Sequence, residues 1–307
     1  MNPDALRARL GDLARRRRVT TRRAAVPEEA LATAPAALAP EEAPATTHPS
    51  LAPRDGVGVE SYLPGGEWRD GRGAVFVHER LRSQVERPRR GWGGLEPPPD
   101  AEPELATVAA LGLEHALFLD LETGGLSSSP VFLAGTMHWN GEDFVMRQYF
   151  ARHYGEEPAL LRAVSEQAAR FEVLVTFNGR SYDVPFLRSR ALVHGETLAL
   201  PGTHLDLLHA ARRRWRDRLE DCRLQTLERH VCRRRRSGDV PSEEVPGLYH
   251  DYVRHGDPYR LVPVFHHNLL DVITMAELLR ALCTTPPAAQ TKRGPRRSRE
   301  ALLAADW

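Results

Sequence analysis

The stretch ALFLDLETGG, residues 116–125, closes an apolar run with two carboxylates, Asp120 and Glu122, one leucine apart. A strand alternates its side chains, so residues two apart share a face. Two like charges that close repel, and each raises the other's pKa unless a cation neutralises them. Hard divalent cations such as Mg²⁺ and Mn²⁺ prefer oxygen ligands. The pair is therefore a candidate for half of a metal site. The plainer reading of an isolated D-x-E is two solvated acids at a strand end, because short motifs match by accident.

Two later acids bear on that choice. In LVTFNGRSYDVPFL, residues 174–187, an apolar strand runs into the turn pair Asn178-Gly179, and Asp183 follows near the start of a helix. Such a junction sets polar groups at the C-terminal edge of a sheet, where open α/β sheets bind ligands. A first-turn acid that merely complements the helix dipole is the alternative. In HHNLLDVITM, residues 266–275, Asp271 sits inside an otherwise apolar helical run. An acid there is costly to bury unless paired or bound to a metal. Leu270, Val272 and Ile273 crowd it, which favours an inward acid over one on an exposed stripe.

The elements that must position these acids follow from period and turn chemistry. Strands are expected over 73–81, 116–122, 130–139, 143–151 and 172–177, with Asn140-Gly141-Glu142 as a hairpin turn. Apolar spacing predicts helices over 156–171, 181–193, 204–215, 223–231 and 263–283, the last opening on Pro263. Three strands, a helix, a strand and then helices make a mixed α/β fold in which an antiparallel meander feeds a parallel crossover. Residues 1–55 read as a disordered Ala/Pro-rich arm, with a short helix over 3–18, because the tract has too few bulky apolar residues to offset its ordering entropy. Residues 56–103 read as an N-terminal strand or hairpin extension, 104–283 as the main folded domain and 284–307 as a basic disordered tail.

Bulk composition narrows the classes further. The 307 residues, 41% hydrophobic, suffice for one sizeable domain with extensions or for two small ones. A net charge of +1 points to no particular partner for the molecule as a whole. Of the 42 basic residues only Lys292 is a lysine, which fits the coding bias of a GC-rich genome, so arginine runs count for less than usual. Cys222, Cys232 and Cys283 are too few and too scattered for a disulfide framework or a zinc knuckle, which fits free thiols in a reducing cytoplasm. No 18-residue apolar stretch is present, so no transmembrane helix is expected.

Asp120 and Glu122 after a hydrophobic strand, Asp183 in an N-x-x-x-[FY]-D context and Asp271 in the terminal helix resemble the DEDD exonuclease superfamily. The stretches LDLETGGL, LVTFNGRSYDVPFL, DVPSEEVPGLYHDYVRHGD and VFHHNLLDV look closer still to the bacterial YprB-type ribonuclease H-like proteins, over roughly residues 60–283. The resemblance implies the ribonuclease H-like fold, a mixed central sheet flanked by helices. It implies a 3′–5′ exonuclease acting on single-stranded RNA or DNA ends, with Asp120, Glu122, Asp183 and Asp271 holding two divalent metal ions, Mg²⁺ or Mn²⁺. A general base is expected just before the last acid. His267, in the frame HN-x-x-D, is favoured, and His266 is the runner-up; a neutral imidazole suits water activation.

Four further residues are candidate substrate contacts. Asn178 contacts substrate or fixes its turn, Gly124 allows close backbone approach to a nucleotide, and Tyr182 offers a ring for stacking. Asp206 is an N-cap or a support for the site. TGGLSSSP, residues 123–130, departs from the family, where more glycine is expected after the first acids. Arginine clusters at 212–216 and 233–236, with Trp215 nearby, are either phosphate contacts or solvated helix faces. The competing expectation is a non-catalytic nucleic-acid-binding module or interaction scaffold on the same fold. No protein partner is legible.

Overall fold

The computed structural model describes residues 58–86, 92, 94–126, 128–236 and 238–284. The expected arm and basic tail fall outside these ranges, apart from Thr284, which ends the last helix. In chain order the strands are β1 (Gly66–Asp70), β2 (Gly73–Leu81), β3 (Ala116–Thr123), β4 (Val131–Trp139), β5 (Phe144–Phe150), β6 (Val173–Thr176) and β7 (Thr203–Asp206). They form one sheet in the order β1-β2-β5-β4-β3-β6-β7. β3, β4 and β5 are the antiparallel meander, and β6 and β7 extend the sheet in parallel from β3. The helices are α1 (Arg82–Val85), α2 (Pro103–Leu111), α3 (Glu157–Ala168), α4 (Asp183–His194), α5 (Leu207–Trp215), α6 (Leu224–His230), α7 (Val245–His255) and α8 (Val262–Thr284). The fold is mixed α/β.

One expected helix needs correction. Residues 204–215 divide into strand β7, which closes the sheet beside β6, and helix α5. Thr203–Asp206 is four residues long, too short to show a period of two, so the helical spacing that follows masks it. β1, α1, α2 and α7 also escaped the sequence reading. β1 is mostly exposed and polar, and it is fixed by its pairing with β2 rather than by an apolar pattern.

The sheet's two faces are covered differently. Leu117, Leu119 and Leu121 of β3 point into a core shared with α3 and α4. Ala116 and Phe118 point to the opposite face, against α5 and α8. Alternation therefore carries Asp120 and Glu122 onto the α8 face. α8 is buried on nearly all sides by residues such as Val272, Ile273, Met275 and Leu279, so its apolar sequence marks a central helix.

One close contact sets how α8 lies on the sheet. Asp120, Gly135, Gln148 and His78 form a row across β3, β4, β5 and β2. Asn268 of α8, 0% exposed, fills the space over Gly135. Its Nδ2 donates to Asp120 Oδ2 at 2.9 Å, and its Oδ1 accepts from Gln148 Nε2 at 2.9 Å. Gln148 Nε2 also donates to the Phe265 carbonyl at 2.8 Å. A Cβ at residue 135 would collide with the Asn268 amide.

At the far side of α8, buried ion pairs tie the N-terminal hairpin to the rest. Arg82 of α1 meets Glu277 at 2.7 Å and Glu86 at 2.6 Å. Arg234 meets Glu86 at 2.8 Å and Glu277 at 3.1 Å. Breaking one partner of such a set leaves a buried charge uncompensated.

Gly135→Ala is expected to destabilise the protein by about 1–3 kcal/mol through overpacking. Urea denaturation of Gly135→Ala, Asn268→Ala and the double variant tests this. The double variant should recover part of the loss, and strict additivity would rule out the proposed packing of residue 135 on Asn268.

Candidate active site

Three elements deliver the four acids to one place. β3 pairs with β6 only over Ala116–Phe118, so its further edge carries no parallel neighbour beyond that point. Asp120 and Glu122 lie on this stretch. β6 ends at Thr176, and the chain turns through Asn178 into α4, whose first residue is Asp183. Asp183, 5% exposed, accepts the Leu121 amide at 3.2 Å and so satisfies β3 where the strand ladder has stopped. Asp271 reaches the same space from α8, one turn beyond Asn268 and His267.

The electrostatics record this convergence. Burial, followed by the charges of Asp271, Glu122 and Asp183, holds the Asp120 carboxyl well above the usual carboxylate range, against the Asn268 hydrogen bond. Glu122 is raised by burial and then by Asp271, Asp183 and Asp239, with Arg236 opposing. Asp183 is pushed to about 7, chiefly by burial, while the amides of Asp183 and Leu121 pull the other way. Burial also raises Asp271, opposed by Arg236 and His267. A cluster of raised acids lacks positive charge, and hard oxygen donors of this kind suit a divalent cation.

The two histidines separate cleanly. His267, 5% exposed, shares the Asp271 face of α8, with Nε2 3.4 Å from Asp271 Oδ2. Its Nδ1 donates to Asp239 Oδ1 at 2.6 Å. His266 points to solvent, and burial of part of its ring lowers its pKa. Asp239 and Asn268 were missed as site residues. The only sequence signals were Asn268 within HN-x-x-D and Asp239 within a family stretch.

Arg236 is the other unforeseen participant. It donates to Asp271, meets Glu228 at 2.5 Å and stands 3.5 Å from Asp239. Among the described residues, no three His, Cys, Asp or Glu side chains stand close enough together to hold a metal ion as they are placed. Asp271 is engaged by Arg236 and Asp120 by Asn268.

The remaining candidates support the acids from around them. Asp206, 1% exposed, accepts from the amides of Asn178 at 2.7 Å, Arg180 at 3.0 Å and Leu208 at 3.1 Å. It caps α5 and pins the turn that leads to Asp183. Asn178 is exposed and has φ 64°, a left-handed conformation that asparagine tolerates better than most residues. The space at Gly124 is taken by His250 and Pro130. His250 Nε2 donates to the Gly124 carbonyl at 2.8 Å, and its Nδ1 accepts from Tyr154 Oη at 2.8 Å. Tyr182 is exposed, and its hydroxyl bonds Thr123 Oγ1 at 2.9 Å, one residue past Glu122. Trp215, within the arginine cluster at 212–216, is buried in the core with α8 and is not available for stacking.

The sequence profile of the RNase_H superfamily matches residues 117–283, more than half of the chain and the whole span from β3 to α8. The chain belongs to the RNase H superfamily. It is also similar to YprB of Bacillus subtilis (strain 168), at 28% identity over 243 residues, covering 74% of this chain and 58% of that protein. The chain thus spans under two thirds of that relative's length. Among solved structures it is similar to the family B DNA polymerase of Pyrobaculum calidifontis, at TM-score 0.44 and 19% identity, covering 53% of this chain and 24% of that one.

For this YprB-type RNase H-like protein, the fold is the ribonuclease H-like one expected from its sequence. The matched span contains all four acids and both histidines. No helix among the described residues is long and apolar enough to cross a membrane.

The raised Asp183 pKa gives a signed prediction. A carboxyl raised from 3.8 to about 7 in the folded state binds its proton more tightly there than when unfolded. Its contribution to stability is therefore greatest at low pH and is lost as pH rises through about 7. In EDTA, Asp183→Asn should melt above the unaltered protein at pH 8, and the gap should narrow by pH 5 and close only below about pH 4, where the unfolded carboxyl is protonated as well. A gap of the same size at both pH values would contradict a proton on Asp183.

Proposed function

We propose that the protein is a divalent-metal-dependent nuclease, a 3′–5′ exonuclease on single-stranded RNA or DNA. The observation that carries this reading is the convergence of Asp120, Glu122, Asp183 and Asp271 from β3, α4 and α8 beside His267. Family membership supports phosphodiester hydrolysis, and the 3′–5′ direction rests on the resemblance to the DEDD exonucleases.

Asp120, Glu122, Asp183 and Asp271 would hold two ions, Mg²⁺ or Mn²⁺. When bound, the ions supply a nucleophilic water at neutral pH and stabilise the leaving oxygen of an in-line displacement. The chain's own residues prepare that step. Asp239 fixes the proton of His267 on Nδ1, which leaves Nε2 free to accept a proton beside Asp271. Asn268 orients the Asp120 carboxylate with one oxygen engaged. Asp206 keeps the Asn178 turn in place and, with it, Asp183. Tyr182, exposed beside Thr123, offers a ring at the edge of the site for a terminal base.

The Arg236–Asp271 pair favours a second reading, because it partly neutralises the acids within the protein. On that reading the protein is a nucleic-acid-binding module without turnover.

Purified protein with Mg²⁺ or Mn²⁺ should shorten a 5′-labelled single-stranded oligonucleotide from its 3′ end. Asp120→Ala should abolish this, and His267→Ala should slow it by about 10²-fold or more. Equal shortening by the unaltered protein and Asp120→Ala would dismiss the nuclease reading. Binding with no shortening in either metal would favour the binding module. Removing the competing guanidinium with Arg236→Met should tighten Mn²⁺ binding by calorimetry, and weaker binding would count against that role.

A further inference from the structure

The run Arg233–Arg236 leaves α6 and alternates like a strand. Arg234 and Arg236 turn inward, onto Glu86 and Glu277 and onto Glu228 and Asp271 respectively. Arg233 and Arg235 turn outward and are exposed, and neither makes an ion pair or hydrogen bond among the described residues. Arg233 also has φ 55°, a left-handed conformation in which glycine would be less strained. The left-handed backbone at Arg233 costs stability that no ion pair or hydrogen bond of its side chain offsets among the described residues.

The two outward arginines help to wall a hollow of about 490 Å³, together with Arg229 and His230. Among the described residues, no carboxylate lines it. Arg229 and Arg235 also line a larger groove of about 1060 Å³, whose wall includes His267 and Asp271. The hollow thus continues a path that reaches the acids. Guanidinium forks match phosphate oxygens bidentately, and because Glu220, Glu228, Asp239 and Glu243 line the groove, the hollow is the stretch where a phosphate meets no acid in the wall. Neither the hollow nor the groove has an aromatic residue among the described residues of its lining other than histidine, so contact there suits the backbone of a strand better than its bases.

We propose that Arg233 and Arg235 hold backbone phosphates of a nucleic-acid strand whose end lies at the acids. This rests on the nuclease reading of the site and assigns the path by which the strand approaches it, independent of base sequence. Arg234 and Arg236 take no part in it, because their charge is neutralised inside the protein, and Arg229 is held by Glu220 at 2.8 Å.

The test is fluorescence anisotropy of the full chain with a labelled single-stranded oligonucleotide in EDTA, over a range of salt. The variant is Arg233→Gly with Arg235→Ala, because glycine keeps the left-handed backbone without strain. It should bind about tenfold or more weakly at low salt. Its slope of log affinity against log salt should be shallower by about 1.4, at about 0.7 for each single-strand phosphate that is no longer neutralised. Arg235→Ala alone should show about half of that change in slope. A charge-matched control, Arg254→Ala with Arg260→Ala, should leave affinity and slope unchanged. Equal losses in the variant and the control would reduce the effect to net charge and overturn the proposal. Unchanged binding in the variant would do the same, as would inorganic phosphate competing as well as the strand at equal phosphate concentration. If the variant's binding falls while the unaltered protein cleaves nothing in Mg²⁺ or Mn²⁺, only the nuclease reading fails. If cleavage is intact and the variant binds normally, only the path fails.

Discussion

Asp120 is buried and feels the charges of Asp271, Glu122 and Asp183, and that desolvated crowding of like charges is the constraint the surrounding structure must meet. Left to themselves the acids would splay apart or take up protons. Three of them are also fixed by a hydrogen-bond donor. Asn268 holds Asp120, the Leu121 amide holds Asp183, and Arg236 holds Asp271. Early loss of the β3–β6 ladder, the glycine in β4 and the capped turn before α4 can all be understood as ways of keeping these groups close while their charges oppose it.

Much of this was legible in the sequence. The five expected strands lie within a residue or two of their observed bounds, because long apolar runs with clear turn signals dominate them. The face shared by Asp120 and Glu122 follows from alternation alone, and the inward aspect of Asp271 follows from its apolar neighbours. β7 was lost because four residues cannot display a period, and β1 because its polar sequence is held by pairing with β2 and by contacts across the fold such as Arg162–Asp70.

The missing site residues were hidden for a different reason. Asn268, Asp239 and Arg236 act through contacts made across the fold, and nothing in their local sequence announces a partner. The arginine run misled in a more instructive way. Its four charges read as one basic cluster, yet alternation after α6 assigns two to buried ion pairs and two to the surface. Counting charges in a run therefore overstates its field at the surface by a factor that only the backbone direction can supply.

The pairing of β2 with β5 and the ion pairs of Arg82 and Glu86 bear on how the chain can be shortened. A fragment starting near residue 104 would contain every acid, yet it would turn the buried strand β5 into an open edge ready to pair with other chains. It would also strip Glu277 and Arg234 of partners they hold away from water. A recombinant fragment cut at the first acid-bearing strand would therefore be prone to aggregate, and the hairpin before it belongs in any minimal soluble unit.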